Sequence, residues 1–515
     1  MISMTFGAKN FMKIVIFILL FAMSIFAQYD EPNRPQFHFS PPANWMNDPN
    51  GMVYQNGEYH LFYQYFPNDT VWGPMHWGHA VSKDLIHWEN LPIALYPDKL
   101  GLIFSGSAVV DKQNSSGFGT KDNPPLVAMF TYHLMEGEKA GRTDFQYQGI
   151  AFSNDNGRNW TKYAQNPVIP NTEKLKDFRD TKVFWHQQTK QWKVVFAVGE
   201  HIRFYSSPNL KDWKMTGEFG KTYGTHAGVW ECPDLFPMKF NGTTKWILLQ
   251  SINPGGANGG SATQYFIGDF DGQTFKSDTK PDEVLWLDYG RDNYAGVTWS
   301  NAPKNRRIFL GWMSNWDYAQ VVPTKKWRSA MTLPRELSLF QTEKGLRLVQ
   351  NPVKEVEQLR NNQFLGIKNN EIAKELSIGS RNSTLVEIDL EIDLAKTNAK
   401  DFGIELSNAK GESYKIGFDV TKNEFYSDRL KSGNYDFSNN FAVKAHIAPR
   451  LSNSTTLKMH LFFDASSVEL FADDGKNALT DIFFPSEDFT KFKIYGNNKI
   501  FFRQAKAWNL KSIWR

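Results

Sequence analysis

The chain has 515 residues, with 58 lysines and arginines against 54 acidic residues, for a formal charge of +4. A balance this even carries no signature of a nucleic-acid or anionic-membrane partner. Its single cysteine, Cys232, excludes an internal disulfide and any cysteine-rich metal centre.

At the N-terminal end, Lys9 and Lys13 precede an uncharged apolar run from Ile14 to Phe26 that closes at Ala27-Gln28. The run is too short to span a bilayer and suits the apolar stretch of a secretory signal, with Ile25 and Ala27 at the −3 and −1 positions. Residues 1–27 are therefore expected to be removed and the mature protein to be secreted, with no membrane association afterwards. What remains is long enough for two domains. The 17 tryptophans, 19 tyrosines and 41 phenylalanines suit an all-β core and sugar stacking equally well.

From Pro35 to Phe340 short apolar runs alternate with turns rich in Gly, Asn, Asp and Pro, and long amphipathic helical windows are missing. Five runs share a look, at 59–65, 126–132, 192–198, 246–252 and 307–313. Their starts are 67, 66, 54 and 61 residues apart. Downstream of the first three lies a turn ending in an aromatic residue (Ser82 to Trp88, Ser153 to Trp160, Ser207 to Trp213), with a weaker copy at Asp269 to Phe275. Each is expected to plant its aromatic in the core. Repetition at this period predicts a five-bladed β-propeller over 35–340, with an irregular pair of sandwiches as the alternative. Val353, Val356 and Leu359 then suggest a short helix within a linker at 341–365. Residues 366–515 read as a β-sandwich. In it, Glu387, Asp389, Glu391 and Asp393 alternate with apolar residues and are expected to form a solvated face.

Chemistry gathers first at Asn44-Trp-Met-Asn-Asp-Pro-Asn-Gly51. Pro49 pushes Asp48 towards an extended backbone, and Asn50-Gly51 allows a sharp turn after it. Each blade's first strand should begin roughly fourteen to eighteen residues before the middle of its repeated strand, to leave room for a hairpin. In blades one, three and four that alignment lands on Asp48, Arg179-Asp180 and Trp230-Glu231. Inner strands of a propeller surround one axis, so three carboxylates 132 and 51 residues apart would meet at one end of it. Crowded carboxyls are driven apart in pKa, and a protonated acid beside a carboxylate is what glycosidic cleavage uses. Metal binding is the rival use, but no histidine accompanies these acids at ligand spacing and Arg179 sits beside one of them. His76 and His79 read as loop or packing residues. Cys232 follows Glu231 on an extended segment, so the two side chains are expected on opposite faces, with a buried structural thiol.

Trp45-Met-Asn-Asp-Pro-Asn-Gly51, Phe104-Ser-Gly-Ser107, Phe178-Arg-Asp180 and Trp230-Glu-Cys-Pro-Asp234 resemble the signature blocks of glycoside hydrolase family 32. That family contains invertases, levanases and exo-inulinases, and the likeness is greatest to bacterial levanase-type fructan β-fructosidases. The resemblance covers nearly everything after the signal segment. It implies a five-bladed propeller followed by a sandwich, acting on fructans and sucrose without metal or cofactor. Asp48 would be the nucleophile, Glu231 the general acid/base and Asp180 a binder of sugar hydroxyls that stabilises the transition state. Arg179, Asn47, Gln64, Trp72, Phe104, Ser105 and Trp312 match positions that line the fructose subsite. One departure is Thr181, where the family usually has proline, which removes a backbone restraint beside Asp180. A fructosyltransferase or a silent fructan-binding protein would share the fold, although a mere binder has no need to keep all three acids.

Overall fold

The computed structural model describes residues 29–380 and 384–514. The apolar run and cleavage position expected near Ala27 lie outside the described residues. The protein is all-β, and its N-terminal part is five consecutive antiparallel sheets. Their first strands are Asn44–Gln55, Leu102–Val110, Phe178–His186, Val229–Phe240 and Tyr294–Thr298. Each first strand touches the next, and the fifth touches the first, so the five sheets are blades around one axis. Trp327–Arg328, from beyond the fifth blade's first two strands, pairs in parallel with Asn44-Trp45 and closes the ring.

The repeated apolar runs are the second strands of the five blades. They are apolar on both faces because each is covered by a neighbouring blade on either side. A separate buried cluster fills each seam. Phe62, Trp77 and Phe130 sit between blades one and two, and Val127, Val183 and Phe196 between two and three. Phe204, Trp230 and Leu248 fill the third seam, and Ile247, Tyr265 and Phe309 the fourth. The turn aromatics follow the expectation in part. Phe275 is fully covered, while Trp88, Trp160 and Trp213 pack against the core clusters but stay partly open to solvent. Hydrogen bonds explain this, since Trp160 and Trp213 donate their indole N–H to carbonyls of their own turns, at Gly157 and Leu210.

The segment 341–365 is strand more than linker. Arg335–Thr342 and Gly345–Pro352 form the outer hairpin of blade five, and Arg360–Ile372 already belongs to the sandwich. Val353 and a 3-10 helix, Lys354–Leu359, lie between them; this is the short helix expected there, and it buries Val356 and Leu359. The C-terminal part is two six-stranded sheets packed face to face over one apolar core. Its acidic stripe is not a solvated face. Val386–Asp393 is an interior strand of its sheet. Long side chains from its neighbours cover it: Arg360 and His460 bond Glu387, Lys458 pairs with Glu391, and Arg503 with Asp393.

Propeller and sandwich share both apolar and ionic contacts. Phe462, Phe471 and Leu510 of the sandwich join the cluster of blades one and five. Buried Arg335 of blade five reaches Glu469 and Asp288, and sandwich Arg429 reaches Asp292. His38, fully enclosed, lies 2.8 Å from Asp464 through Nδ1 and 2.8 Å from Glu469 through Nε2. Burial alone would lower its pKa, but the two carboxylates outweigh that and push it up to about 9. A histidine raised in the folded state contributes stability below its ordinary pKa and loses it as pH climbs through the folded value. The melting temperature should therefore fall between pH ~7 and ~9.5, and His38→Gln should flatten that fall while costing about 3 kcal/mol or more near pH ~6. Scanning calorimetry across that range checks both; a parallel fall in the variant would refute the assignment.

Candidate active site

The five inner strands carry a β-bulge at the same level. In each, two residues face a single residue of the second strand: Asn47-Asp48 opposite Gln64, Phe104-Ser105 opposite Thr131, and Asp180-Thr181 opposite Phe196. Cys232-Pro233 lies opposite Gln250, and Ala295-Gly296 opposite Gly311. A bulge breaks strict alternation and re-aims side chains. Here it turns residues of four blades towards the axis. Asp180, Cys232 and Ala295 take φ of 68°, 47° and 52°, a region that non-glycine residues enter only where the surroundings enforce it. Polar residues of the second strands satisfy the disrupted backbone. Gln250 donates to the Glu231 carbonyl at 2.8 Å, and the Asp180 N–H donates to Thr131 Oγ1 at 3.0 Å.

The structure brings Asp48, Asp180 and Glu231 together. Ser105 Oγ donates to Asp48 Oδ2 at 2.7 Å, while Asp48 Oδ1 is buried without a protein partner. Arg179 lies between the other two acids, with Nη2 3.1 Å from Glu231 Oε1 and Nε 3.8 Å from Asp180 Oδ2. It is itself steadied by Asp177, 2.6 Å from Nη1. The Tyr294 hydroxyl donates to Glu231 Oε2. Burial raises the Asp48 pKa, the Ser105 bond opposes the rise, and the Glu231 charge adds to it. Asp180 is pushed up to about 7, by burial first, with Arg179 opposing and Glu231 and Asp48 adding. A proton is therefore held within the cluster near neutral pH.

Cys232 departs from expectation. Its positive φ at the bulge puts its side chain on the same side as the acids, with Sγ 3.6 Å from both Asp48 Oδ2 and Asp180 Oδ2. Its backbone N–H also donates to Asp180 Oδ2 at 3.0 Å. Burial and the surrounding carboxylates hold the thiol well above its ordinary pKa, so it remains an S–H that can donate weakly to either acid.

The remaining candidates surround this centre at different depths. Ser105 and Arg179 touch the acids directly. Asn47 accepts the Trp45 indole N–H at 2.7 Å. Phe104 stacks on His133 at 4.2 Å and meets the edge of Trp72 at 6.0 Å, and both Phe104 and Trp72 are partly open to solvent. Trp312 is fully buried among Trp45, Trp316 and Tyr294. Gln64 Nε2 and Trp312 Nε1 are buried donors without protein partners, as Asp48 Oδ1 is a buried acceptor without one. Groups of this kind suit a polyhydroxylated ligand. Thr181 supplies a restraint of its own, because its hydroxyl donates to the Met129 carbonyl at 3.0 Å. Away from the centre, His79 packs on Phe62 and His60, and His76 donates through Nδ1 to the Pro74 carbonyl at 2.8 Å. Tyr294 is a site residue not expected from the sequence, although roughly fourteen to eighteen residues before the middle of Arg307–Met313 fall on 292–296, where it stands at the start of the fifth blade's first strand.

Residues 38–352 match the Glycosyl hydrolases family 32 N-terminal domain, and residues 355–509 match the Glycosyl hydrolases family 32 C terminal. A levanase of Bacillus subtilis is 48% identical over 97% of this chain and 74% of its own length. An extracellular exo-inulinase of Aspergillus awamori is 41% identical over 92% of this chain and 94% of its own. The crystal structure of exo-inulinase from Aspergillus awamori superposes with a TM-score of 0.85, at 38% identity, over 94% of this chain and all of that one. A fructofuranosidase from Schwanniomyces occidentalis complexed with fructosylnystose gives 0.84 at 33%, over 94% of this chain and 99% of its own.

A carboxyl whose folded pKa is raised favours the protonated fold, so its ionisation weakens folding as pH rises from its ordinary value to about 7. Asp180→Asn removes that penalty. Its melting temperature should exceed that of the parent by a margin that widens from pH ~5 to ~7.5 and then levels. Differential scanning fluorimetry at the two ends of that range tests this, and a margin independent of pH would contradict it.

Proposed function

The chain belongs to glycosyl hydrolase family 32 and is a β-fructosidase, and we propose that Asp48, Glu231 and Asp180 perform a retaining, two-step cleavage of terminal β-D-fructofuranosyl residues. Asp48 is the nucleophile, Glu231 the general acid/base, and Asp180 the group that holds sugar hydroxyls. The observation that carries this reading is the division of labour between the oxygens of Asp48. Oδ2 is fixed by the Ser105 hydroxyl, while Oδ1 is buried and unpartnered, as an attacking atom needs to be.

In the first step Oδ1 bonds to C2 of the fructosyl unit as the bond from C2 to the leaving oxygen breaks, and Glu231 protonates that oxygen. In the second, Glu231 takes a proton from water, which attacks C2 and releases Asp48. Arg179 and Tyr294 each donate to one oxygen of Glu231 and fix where the carboxyl can exchange its proton. Asp180, anchored by the Cys232 N–H, presents its other oxygen to the sugar. Phe104 and Trp72 offer an apolar wall for a furanose face, and Gln64 and Trp312 offer N–H donors. The names of the relatives support levan and inulin as substrates, a Bombyx mori β-fructofuranosidase solved in complex with sucrose supports sucrose, and the extracellular inulinases support secretion.

Asp48→Asn should reduce kcat by orders of magnitude, and Glu231→Gln by about 10²- to 10⁴-fold, with circular dichroism unchanged. Turnover near the parental rate in either variant would remove that residue from its role. Retention further requires carboxyls about 5–5.5 Å apart and delivers β-fructofuranose first. Proton NMR during the first moments of sucrose hydrolysis should show the β anomer before mutarotation, whereas early α anomer would replace the nucleophile with a base. Thin-layer chromatography of levan and inulin digests should show fructose alone; longer new oligosaccharides would indicate transfer to sugar in place of water.

A further inference from the structure

The inner strands continue past the acids, and farther along them lies a cavity of about 430 Å³ whose lining includes none of the three carboxylates. Lys182, two residues beyond Asp180, and Asp234, three beyond Glu231, both line it. Lys182 Nζ is 3.1 Å from Asp234 Oδ2 and also donates to the Thr298 carbonyl. Thr298 donates to the same Oδ2 through its N–H at 2.6 Å and its hydroxyl at 2.8 Å. Blades three, four and five are tied together here, but through one oxygen only. Asp234 Oδ1 is buried and unpartnered, although the residue is fully enclosed.

Arg307 lines the same space. Its guanidinium lies over the Phe236 ring at 4.7 Å, its Nε is buried without a partner, and it forms no ion pair among the described residues. The only carboxylate on this lining is already committed to Lys182. Exposed Lys112 also reaches the lining, so three cations and one carboxylate leave the cavity with a net positive charge, and burial disfavours the charged forms of both Lys182 and Arg307. Trp185, Trp192 and Phe236 supply apolar wall.

We propose that this cavity is a second, non-catalytic binding site for a small hydroxylated carboxylate of the sugar-acid type. Its carboxylate pairs with Arg307, a hydroxyl donates to Asp234 Oδ1, and its carbon skeleton lies against the aromatic wall. A neutral sugar would leave Arg307 uncompensated, and a simple carboxylate would leave Asp234 Oδ1 without a donor. The two requirements together select the class.

Titration calorimetry on the full chain, with fructose saturating the catalytic end, tests this using gluconate, acetate and glycerol as probes. Gluconate should bind, with acetate and glycerol each about tenfold weaker or more. Arg307→Gln should weaken gluconate about tenfold or more while leaving sucrose hydrolysis at the parental rate. Absence of gluconate binding, equal binding of the three probes, or unchanged affinity in the variant would each overturn the proposal. Should the variant not fold, the comparison of the three probes on the parent protein decides alone.

Discussion

Five inner strands must crowd around one axis, and a regular strand cannot turn both its backbone and its side chains to suit that position. The repeated bulge is how this chain resolves the conflict. By inserting one extra residue at the same level in every blade, it lets neighbouring positions face the axis together. Its cost is borne by the second strands, where Gln250 and Thr131 interrupt otherwise apolar runs to satisfy the displaced backbone. Closure of the ring by Trp327–Arg328 keeps the bulges opposed. Without that closure the acids would be dispersed on separate sheets and have no reason to perturb one another.

Burial then does the electrostatic work. Arg179 is shared by Asp177, Asp180 and Glu231, a load that its forked guanidinium can carry and a single ammonium would carry less well. The same logic recurs where propeller meets sandwich. Arg335, Arg429 and His38 are enclosed with their carboxylates, and each would leave an uncompensated charge if its partner were withdrawn. The sandwich thus completes the packing of the catalytic domain's outer surface. Its residues also enter the apolar cluster of blades one and five.

Much of this was legible in the sequence. Second strands are covered on both faces, so they appear as apolar runs and reveal the blade period directly. Asp48 was legible because Pro49 constrains it, and the other acids because they align with it. What stayed hidden depends on registers that no local pattern encodes. Alternation placed Cys232 opposite Glu231, and a bulge reversed it. Alternation also exposed the stripe from Glu387 to Asp393, but arginine, lysine and histidine side chains from adjacent strands fold over it. Residues 341–365 read as a linker in sequence because Gly345–Pro352 pairs with a strand immediately before it, and the hairpin completes a blade whose first half lies some forty residues upstream; the short helix expected there is present at Lys354–Leu359.

The sulfur between Asp48 and Asp180 has a use beyond packing. This chain has one cysteine, and therefore a single S–H bond. That bond vibrates in a window where water and the peptide group absorb weakly, and its frequency follows the strength of the acceptor it faces. Cys232 touches two acids whose charge state matters for chemistry. Infrared spectroscopy of the unlabelled protein thus has a native probe seated among its carboxylates, able to register their ionisation without a substitution or a dye.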